Sequence, residues 1–339
     1  MKFNQIFIIA EIGVNHNGDM ILAKEMIDAA VQSGADAVKF QTFRAESLVS
    51  MGTPKVEYQK RTTSSDETHY EMIKKLELSL NDHFVLKDYC KEKEISFLST
   101  PYDLESARFL HEEINVEMFK TASADLVDIP LHDYIASSGK PSLVSVGMAN
   151  LGEIEKTLST YDSKNHHNIV LLHCVSNYPC ADESLNMKVL TTLRQAFQLP
   201  VGYSDHSVGN EASILAIALG AQVVEKHFTL DKKLDGPDNL ASSTPEEFKQ
   251  MVKSVRRAEV MLGSPIKSCQ SEELQMSQVS RKSIVFAQRV EAGTVLKSEH
   301  LTLKRPGTGL GSEMLEKIIG IKLAITKEKD EMLFLRDFQ

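Results

Sequence analysis

Short runs of β-branched and aromatic residues alternate with longer stretches of helical periodicity as far as residue 230. The runs are Phe7–Ala10, Ala37–Phe40, Ile95–Leu98, Met118–Lys120, Ser142–Val144, Ile169–Leu172, Val201–Tyr203 and Gln222–Val224. Between them apolar residues recur at three- and four-residue spacing, which predicts helices over Met20–Ser33, Leu104–Glu113, Ile129–Ser138, Leu151–Thr160, Met187–Phe197 and Asn210–Leu219. Strands and helices alternating in this order predict a parallel sheet, and eight strands close a (β/α)8 TIM barrel, an α/β fold. An open doubly wound sheet is the rival, weakened because no G-x-G-x-x-G follows the first strand. Glu246–Leu262 reads as a closing amphipathic helix.

Two segments depart from this rhythm. Arg44–Asp82 separates the second strand from the next helix, and a βα insertion of that length reads as a lid or binding loop. After Gly263 a polar Ser/Gln/Glu stretch reads as a linker. The expected domains are therefore a barrel over 1–263, a linker over 264–280 and a small β-rich module over 281–339. The module's pattern is Lys282–Ala287, a turn at Glu291-Ala292-Gly293, a short helix at Lys297–His300, the Arg305-Pro306-Gly307-Thr308-Gly309 turn, and strand-like ends at Lys322–Ile325 and Met332–Leu335.

Composition narrows the class. With 339 residues, 42% hydrophobic and 25% charged, the chain can bury a full core and is not a disordered protein. A net charge of −9 without a basic run argues against nucleic acid as a partner. Cys90, Cys174, Cys180 and Cys269 have no CxxC spacing, so free thiols in a reducing compartment are expected. The apolar start Ile6–Ala10 is cut off by Glu11, too early for a signal segment or membrane span, and a cytoplasmic protein is expected.

Chemistry gathers at the predicted strand ends, the face on which such barrels act. The first strand delivers Glu11, followed by Asn15-His16-Asn17-Gly18; the second delivers Lys39 and Gln41, the third Ser99 and Thr100, the fourth Lys120 and Ser123. Ser145, His173, Ser176 and Tyr178 follow the fifth and sixth, and Ser204-Asp205-His206 and Glu225-Lys226-His227 the last two. Lys39 and Lys120 among hydroxyls make an anion site for phosphate, carboxylate or both, although any one such lysine or serine is equally at home in solvent or on a helix cap. His206 and His227 are two neutral ligands that would leave positions open on a divalent metal, as catalysis requires. Asp205 and Glu225 beside them read as ligands, second-layer acceptors or bases, with a helix N-cap an equal reading for Asp205. Asp235-Gly236-Pro237-Asp238 reads as an ordinary turn.

In this order, Ala10-Glu11-Ile12-Gly13-Val14-Asn15-His16-Asn17-Gly18, Val38-Lys39-Phe40-Gln41-Thr42-Phe43, Ser99-Thr100-Pro101, Lys120-Thr121-Ala122-Ser123, Ser145-Val146-Gly147-Met148, Ser204-Asp205-His206-Ser207, Glu225-Lys226-His227-Phe228, Gly236-Pro237-Asp238 and Lys304-Arg305-Pro306-Gly307 resemble the bacterial sialic acid synthase family. The resemblance spans essentially the whole chain. It implies that phosphoenolpyruvate condenses with an N-acyl amino sugar by C–O cleavage. N-acetylmannosamine, giving N-acetylneuraminate, is slightly favoured over 2,4-diacetamido-2,4,6-trideoxymannose, giving N,N'-diacetyllegionaminate; pseudaminate synthase, a related sugar-phosphate synthase and a carbohydrate-binding protein are the remoter alternatives. It further implies that His206 and His227 bind Mn2+ or Mg2+, that Lys39, Thr100, Lys120, Ser123, Ser145, Ser176, Tyr178 and Ser204 hold phosphoenolpyruvate, and that Glu11, Gln41 and Asp238 face the sugar. Glu11 or Glu225 would manage protons. Arg305 would enter from the partner in a domain-swapped homodimer through an antifreeze-like SAF module. Ser176 stands where one member of the family carries asparagine, leaving Ser176 or Asn177 to fill that place.

Overall fold

A computed structural model of the chain describes residues 3–55, 59, 63 and 67–338. It divides into two compact units, Met1–Gly263 and Ser264–Gln339. In the first, eight parallel strands run β1 (Phe7–Gly13), β2 (Ala37–Thr42), β3 (Ser96–Pro101), β4 (Phe119–Thr121), β5 (Ser142–Ser145), β6 (Ile169–His173), β7 (Val201–Asp205) and β8 (Ala221–His227). Their hydrogen-bonded order is β3-β2-β1-β8-β7-β6-β5-β4, and β3 and β4, the two ends of that order, lie against each other. The nearly closed ring is the barrel expected from the pattern; the doubly wound alternative falls.

Every predicted strand is present, and most run further into their polar ends than the apolar pattern extends. The inward-pointing column of each strand explains why. Successive residues of a strand face opposite sides, so the column reads every second residue. Low in the barrel, Ile9, Ala37, Leu98, Leu143, Val170, Leu172 and Val223 form one buried apolar cluster. Gly202 belongs to this layer, since a Cβ there would fall 2.4 Å from Leu172 Cδ2. One step up, the same columns carry Glu11, Lys39, Thr100, Lys120, Ser145, Ser204 and Glu225, all buried. Backbone ladders continue past the point where hydrophobicity stops.

The larger core lies between strands and helices, where Ile8, Ala10, Met26, Ile27, Phe40, Phe119, Tyr203 and Phe248 are fully or nearly buried. Helices start where caps allow: Asp19, Asn150 and Thr244 each accept from the backbone of the first turn, and Asn150 and Thr244 complete capping boxes with Glu153 and Glu247. The stretch predicted as helix over Leu104–Glu113 is α-helical only to Arg108 and continues as a π-helix over Phe109–Glu113. Among the described residues no helix is long and apolar enough to cross a membrane. The four cysteines are free.

In the second unit β9 (Ser283–Phe286) and β10 (Leu301–Lys304) pair antiparallel over a small core of Ile284, Phe286, Val290, Leu296 and Leu333. The strand-like ends at Lys322–Ile325 and Met332–Leu335 form only isolated bridges, Val295 with Lys322, Leu323 with Phe338 and Val285 with Met332. Too few alternating residues remain there for a ladder. The polar stretch read as a linker carries a helix, Leu274–Ser280, which Gly307 N–H joins by donating to Gln278 C=O at 2.7 Å.

Candidate active site

A cavity of about 490 Å³ opens at the polar level of the barrel. Glu11, Lys39, Gln41, Thr100, Lys120, Ser123 and Ser145 line it, together with Ser176, Tyr178, Ser204, His206, Glu225, His227 and Asp238. The residues that the family resemblance assigns to the barrel site therefore meet in one place, whereas Asp205 does not line it. Arg305 belongs to the second unit and is exposed there, beside a cis Arg305–Pro306 bond.

At the centre, two buried lysines and two buried glutamates come together. Lys39 Nζ lies 2.8 Å from Glu11 Oε2 and 3.8 Å from Glu225 Oε2, and it donates to Thr100 Oγ1 at 2.8 Å. Lys120 Nζ is 3.2 Å from Glu225 Oε1, to which Ser204 also donates at 2.9 Å. Their environments separate the two carboxylates. Burial pushes the Glu11 carboxyl up, outweighing the pull of Lys39, and Glu225 adds to the rise. Burial acts on Glu225 too, yet Lys120, Lys39 and Ser204 together hold it low. Burial also pushes the Lys120 ammonium down. Lys120 thus has a carboxylate on one side and an open cavity on the other, an arrangement that favours an anionic ligand.

Hydroxyls complete the cradle. Ser145 Oγ is buried with no partner among the described residues. Ser123 Oγ accepts from Gly147 N–H at 2.9 Å. A Cβ at Gly147 would fall 2.8 Å from each of Ser123 Oγ, Ser176 Oγ and Cys174 Sγ, so glycine is needed to let these groups converge. The choice between Ser176 and Asn177 is also visible. Ser176 lines the cavity, while exposed Asn177 turns back to donate to Pro179 C=O at 3.2 Å.

The two histidines are held at the cavity as neutral rings. His206 Nδ1 lies 2.7 Å from Val175 C=O and must carry the proton there, so Nε2 presents its lone pair. The His206 and His227 rings are 5.5 Å apart, and Tyr178 packs on both. Burial drives the His206 imidazole down to about 4 and His227 well below its ordinary value, so both are neutral. His227 Nδ1 is buried with no hydrogen-bond partner among the described residues, 4.0 Å from Asp238 Oδ2. Two neutral nitrogens from adjacent strands, one unsatisfied, fit a divalent cation with open positions. Among the described residues no cluster of three ligand-type side chains exists, so water and substrate would complete the shell.

Other strand-end residues named from the sequence are structural. Asp205 faces outward, accepting from Ser207 N–H and Oγ at 2.9 and 2.7 Å and from Ser213 Oγ at 2.7 Å, and pairing with Lys226 at 2.8 Å. Ser99 bonds Thr42, His173 lies 2.8 Å from Leu185 C=O, and Asn15 donates to Phe228 C=O and Ser242 Oγ. The cavity also has an apolar wall of which the motifs contain only Val14 and Phe43; Leu48, Met72, Ile73, Leu76 and Tyr102, with His69, complete it. The long excursion Arg44–Asp82 supplies most of it, and its apolar spacing over 69–76 was the available signal; residues 56–58, 60–62 and 64–66 of that excursion lie outside the described residues.

Comparison with known proteins agrees with this geometry. Residues 26–267 match the NeuB family. The chain is 45% identical over 94% of its length to N,N'-diacetyllegionaminic acid synthase of Legionella pneumophila, 90% of which is covered. It is 35% identical over 96% of its length to human N-acetylneuraminate-9-phosphate synthase, 91% of which is covered. A crystal structure of N-acetylneuraminic acid synthetase from Leptospira borgpetersenii in complex with citrate superposes with a TM-score of 0.72 at 36% identity, covering 80% of this chain and 90% of that one. The chain belongs to the NeuB family, the sialic acid synthase family that its strand-end motifs resemble.

Proposed function

We propose that the protein condenses phosphoenolpyruvate with 2,4-diacetamido-2,4,6-trideoxymannose to give N,N'-diacetyllegionaminate and phosphate. The observation that carries a phosphoenolpyruvate site is the convergence of Lys39, Lys120, Ser123, Ser145 and Ser204 on one cavity around buried Glu225, with Ser145 Oγ lacking a partner among the described residues. The order of the two sugars reverses that drawn from the motifs, because the relative at 45% identity is named for the legionaminic acid and the relative at 35% for the neuraminate phosphate. N-acetylmannosamine remains the second candidate.

A divalent cation, Mn2+ or Mg2+, held by His206 and His227 would supply Lewis acidity to the sugar aldehyde. Lys39, Lys120 and the hydroxyls bind the phosphate and carboxylate and orient C3 toward that aldehyde carbon. The new C3–C1 bond leaves positive character at C2, next to ionised Glu225. Water adds at C2 and one of its protons passes to the former aldehyde oxygen; the C2–O bond to phosphate then breaks, the bonding pair and the remaining hydroxyl proton leave with phosphate, and a 2-keto acid remains. Glu11, whose carboxyl burial raises from its ordinary value, is the better suited of the two glutamates to exchange a proton, while Lys120, Lys39 and Ser204 hold Glu225 ionised. Gln41, which donates to Glu11 at 3.1 Å, and Asp238 face the sugar. We assign Arg305 to the sugar's N-acyl group across a domain-swapped homodimer, with the second unit as the SAF module.

The deciding experiment measures phosphate release from phosphoenolpyruvate by metal-stripped protein, with and without Mn2+, offering each sugar in parallel. Release requiring both metal and the diacetamido sugar is expected. Release without metal ends the assignment of His206 and His227, and no release with either sugar from folded protein ends the synthase reading. Mixing Arg305→Ala with a Lys120→Ala protein restores activity in mixed dimers if the arginine acts across the interface; absence of rescue removes it from that role.

A further inference from the structure

The site has two unlike sides. At the strand ends, charged groups suit phosphate, carboxylate and a metal. Opposite them stands the helix His69–Leu76, where His69, Met72, Ile73 and Leu76 share one face by their spacing and all line the cavity. Met72 and Leu76 are buried with Val14 and Phe43 in a cluster separate from the barrel core, against which Leu48, Ile73 and Tyr102 pack. His69 is polar on this otherwise apolar face. Its Nδ1 is buried and has no hydrogen-bond partner among the described residues, which is costly unless something else meets it. Burial, with Lys55 nearby, lowers its basicity, so the ring is neutral and offers one donor and one acceptor.

We propose that this helix face selects the amino sugar: His69 is a specificity-determining residue that hydrogen-bonds an acylamino group on the far half of the sugar chain, while Met72, Ile73 and Leu76 pack on its methyl and on a neighbouring deoxy carbon. The inference rests on the functional reading above and deepens it. Phosphate and the aldehyde must lie among the strand-end charges, so the remote carbons extend toward this wall. A neutral imidazole beside methyl- and thioether-bearing side chains matches an amide that ends in a methyl group. It matches a phosphorylated or fully hydroxylated end poorly, because the hydroxyls would lie against Met72 and Ile73 without partners. Apolar packing alone rejects an added hydroxyl only weakly, whereas a hydrogen bond to a buried polar group discriminates far more, so His69 carries the larger share.

Steady-state phosphate release by the full-length protein with saturating phosphoenolpyruvate and Mn2+ tests this. The two sugars are the 2,4-diacetamido-6-deoxy compound and N-acetylmannosamine. Wild type should favour the first at least tenfold in kcat/KM. His69→Leu should raise KM for the diacetamido sugar at least tenfold more than it raises KM for N-acetylmannosamine, with the loss in KM rather than kcat. His69→Gln keeps a donor and an acceptor and should restore most of the preference; it also separates recognition from folding. Ile73→Thr should reduce the preference by a smaller factor. Equal effects of His69→Leu on both sugars, or none, overturn the assignment. Turnover of N-acetylmannosamine alone overturns it while leaving a sialic acid synthase in place, and no turnover of either sugar by folded wild type removes the functional reading and this inference together.

Discussion

Two buried ion-pair groups meet at β7 and β8, back to back, and differ in how completely they are satisfied. On the outward face of β7 and β8, Asp205 receives three hydrogen bonds besides Lys226, whose Nζ also donates to Ser207 C=O at 2.8 Å. On the inward face, Glu225 must serve Lys39, Lys120 and Ser204, while Ser145 and His227 Nδ1 bond nothing among the described residues. Residue type and burial are matched, and the two carboxylates, Asp205 and Glu225, sit on adjacent strands. Saturation is what separates a brace from a binding site: the outward group is complete without a ligand, and the inward group has donors to spare.

That contrast can be broken by substitution. Lys120→Ala should cut kcat/KM by about 10³-fold or more, on the scale of a lost transition-state donor, with a smaller change in unfolding free energy. A stability loss without a rate loss, from phosphate-release kinetics and urea melts, would reverse the roles of the two faces. Asp205→Ala should cost about 3 kcal/mol of stability by leaving Lys226 buried and unpaired. Asp205→Ala combined with Lys226→Met should recover much of it; no recovery would mean that the pair is not the source.

Asp125 sharpens the comparison, since it lies between the two classes. Its Oδ2 is buried with no hydrogen-bond partner among the described residues, and burial, helped by Asp128 and Asp103 against the pull of Lys120, pushes its carboxyl up to about 7. The unfolded chain releases this proton near the ordinary carboxylate range and the folded chain only near 7, so the wild-type protein loses stability as pH rises through that window. Asp125→Asn should therefore gain roughly 1–2 kcal/mol at pH 8 and almost nothing at pH 4. Equal gains at both pH values, read from denaturant melts, would show that the carboxyl is not held protonated.

Much of this was legible in the chain because strands read every second residue. Ile9 then Glu11, Ala37 then Lys39, Leu98 then Thr100 and Val223 then Glu225 place the catalytic level directly above an apolar layer, and the same parity sends Asp205 and Lys226 outward. Strand lengths were less legible, since Gln41 and Thr42 continue β2 through backbone pairing that side-chain hydrophobicity does not report. The wall was hidden for another reason. The spacing of Met72, Ile73 and Leu76 announces an apolar face, but only tertiary packing decides whether such a face meets a core or a cavity. In the second unit, the short alternations near residues 322 and 332 resemble strands because isolated bridges and ladders use the same local pattern.

The β1–β8 ladder, in which Glu11 lies directly opposite His227, joins strands from opposite ends of the barrel unit. Phe228 N–H completes the seam by donating to Glu11 C=O at 2.8 Å. Closing so long a loop is entropically slow, and early helices or neighbouring strand pairs do nothing to shorten it. The substrate site therefore comes into existence only with the final long-range contact. Recovery of turnover during refolding should lag behind recovery of helical signal, and a nascent chain that has not yet emerged through β8 has no half-formed site for phosphoenolpyruvate to rescue.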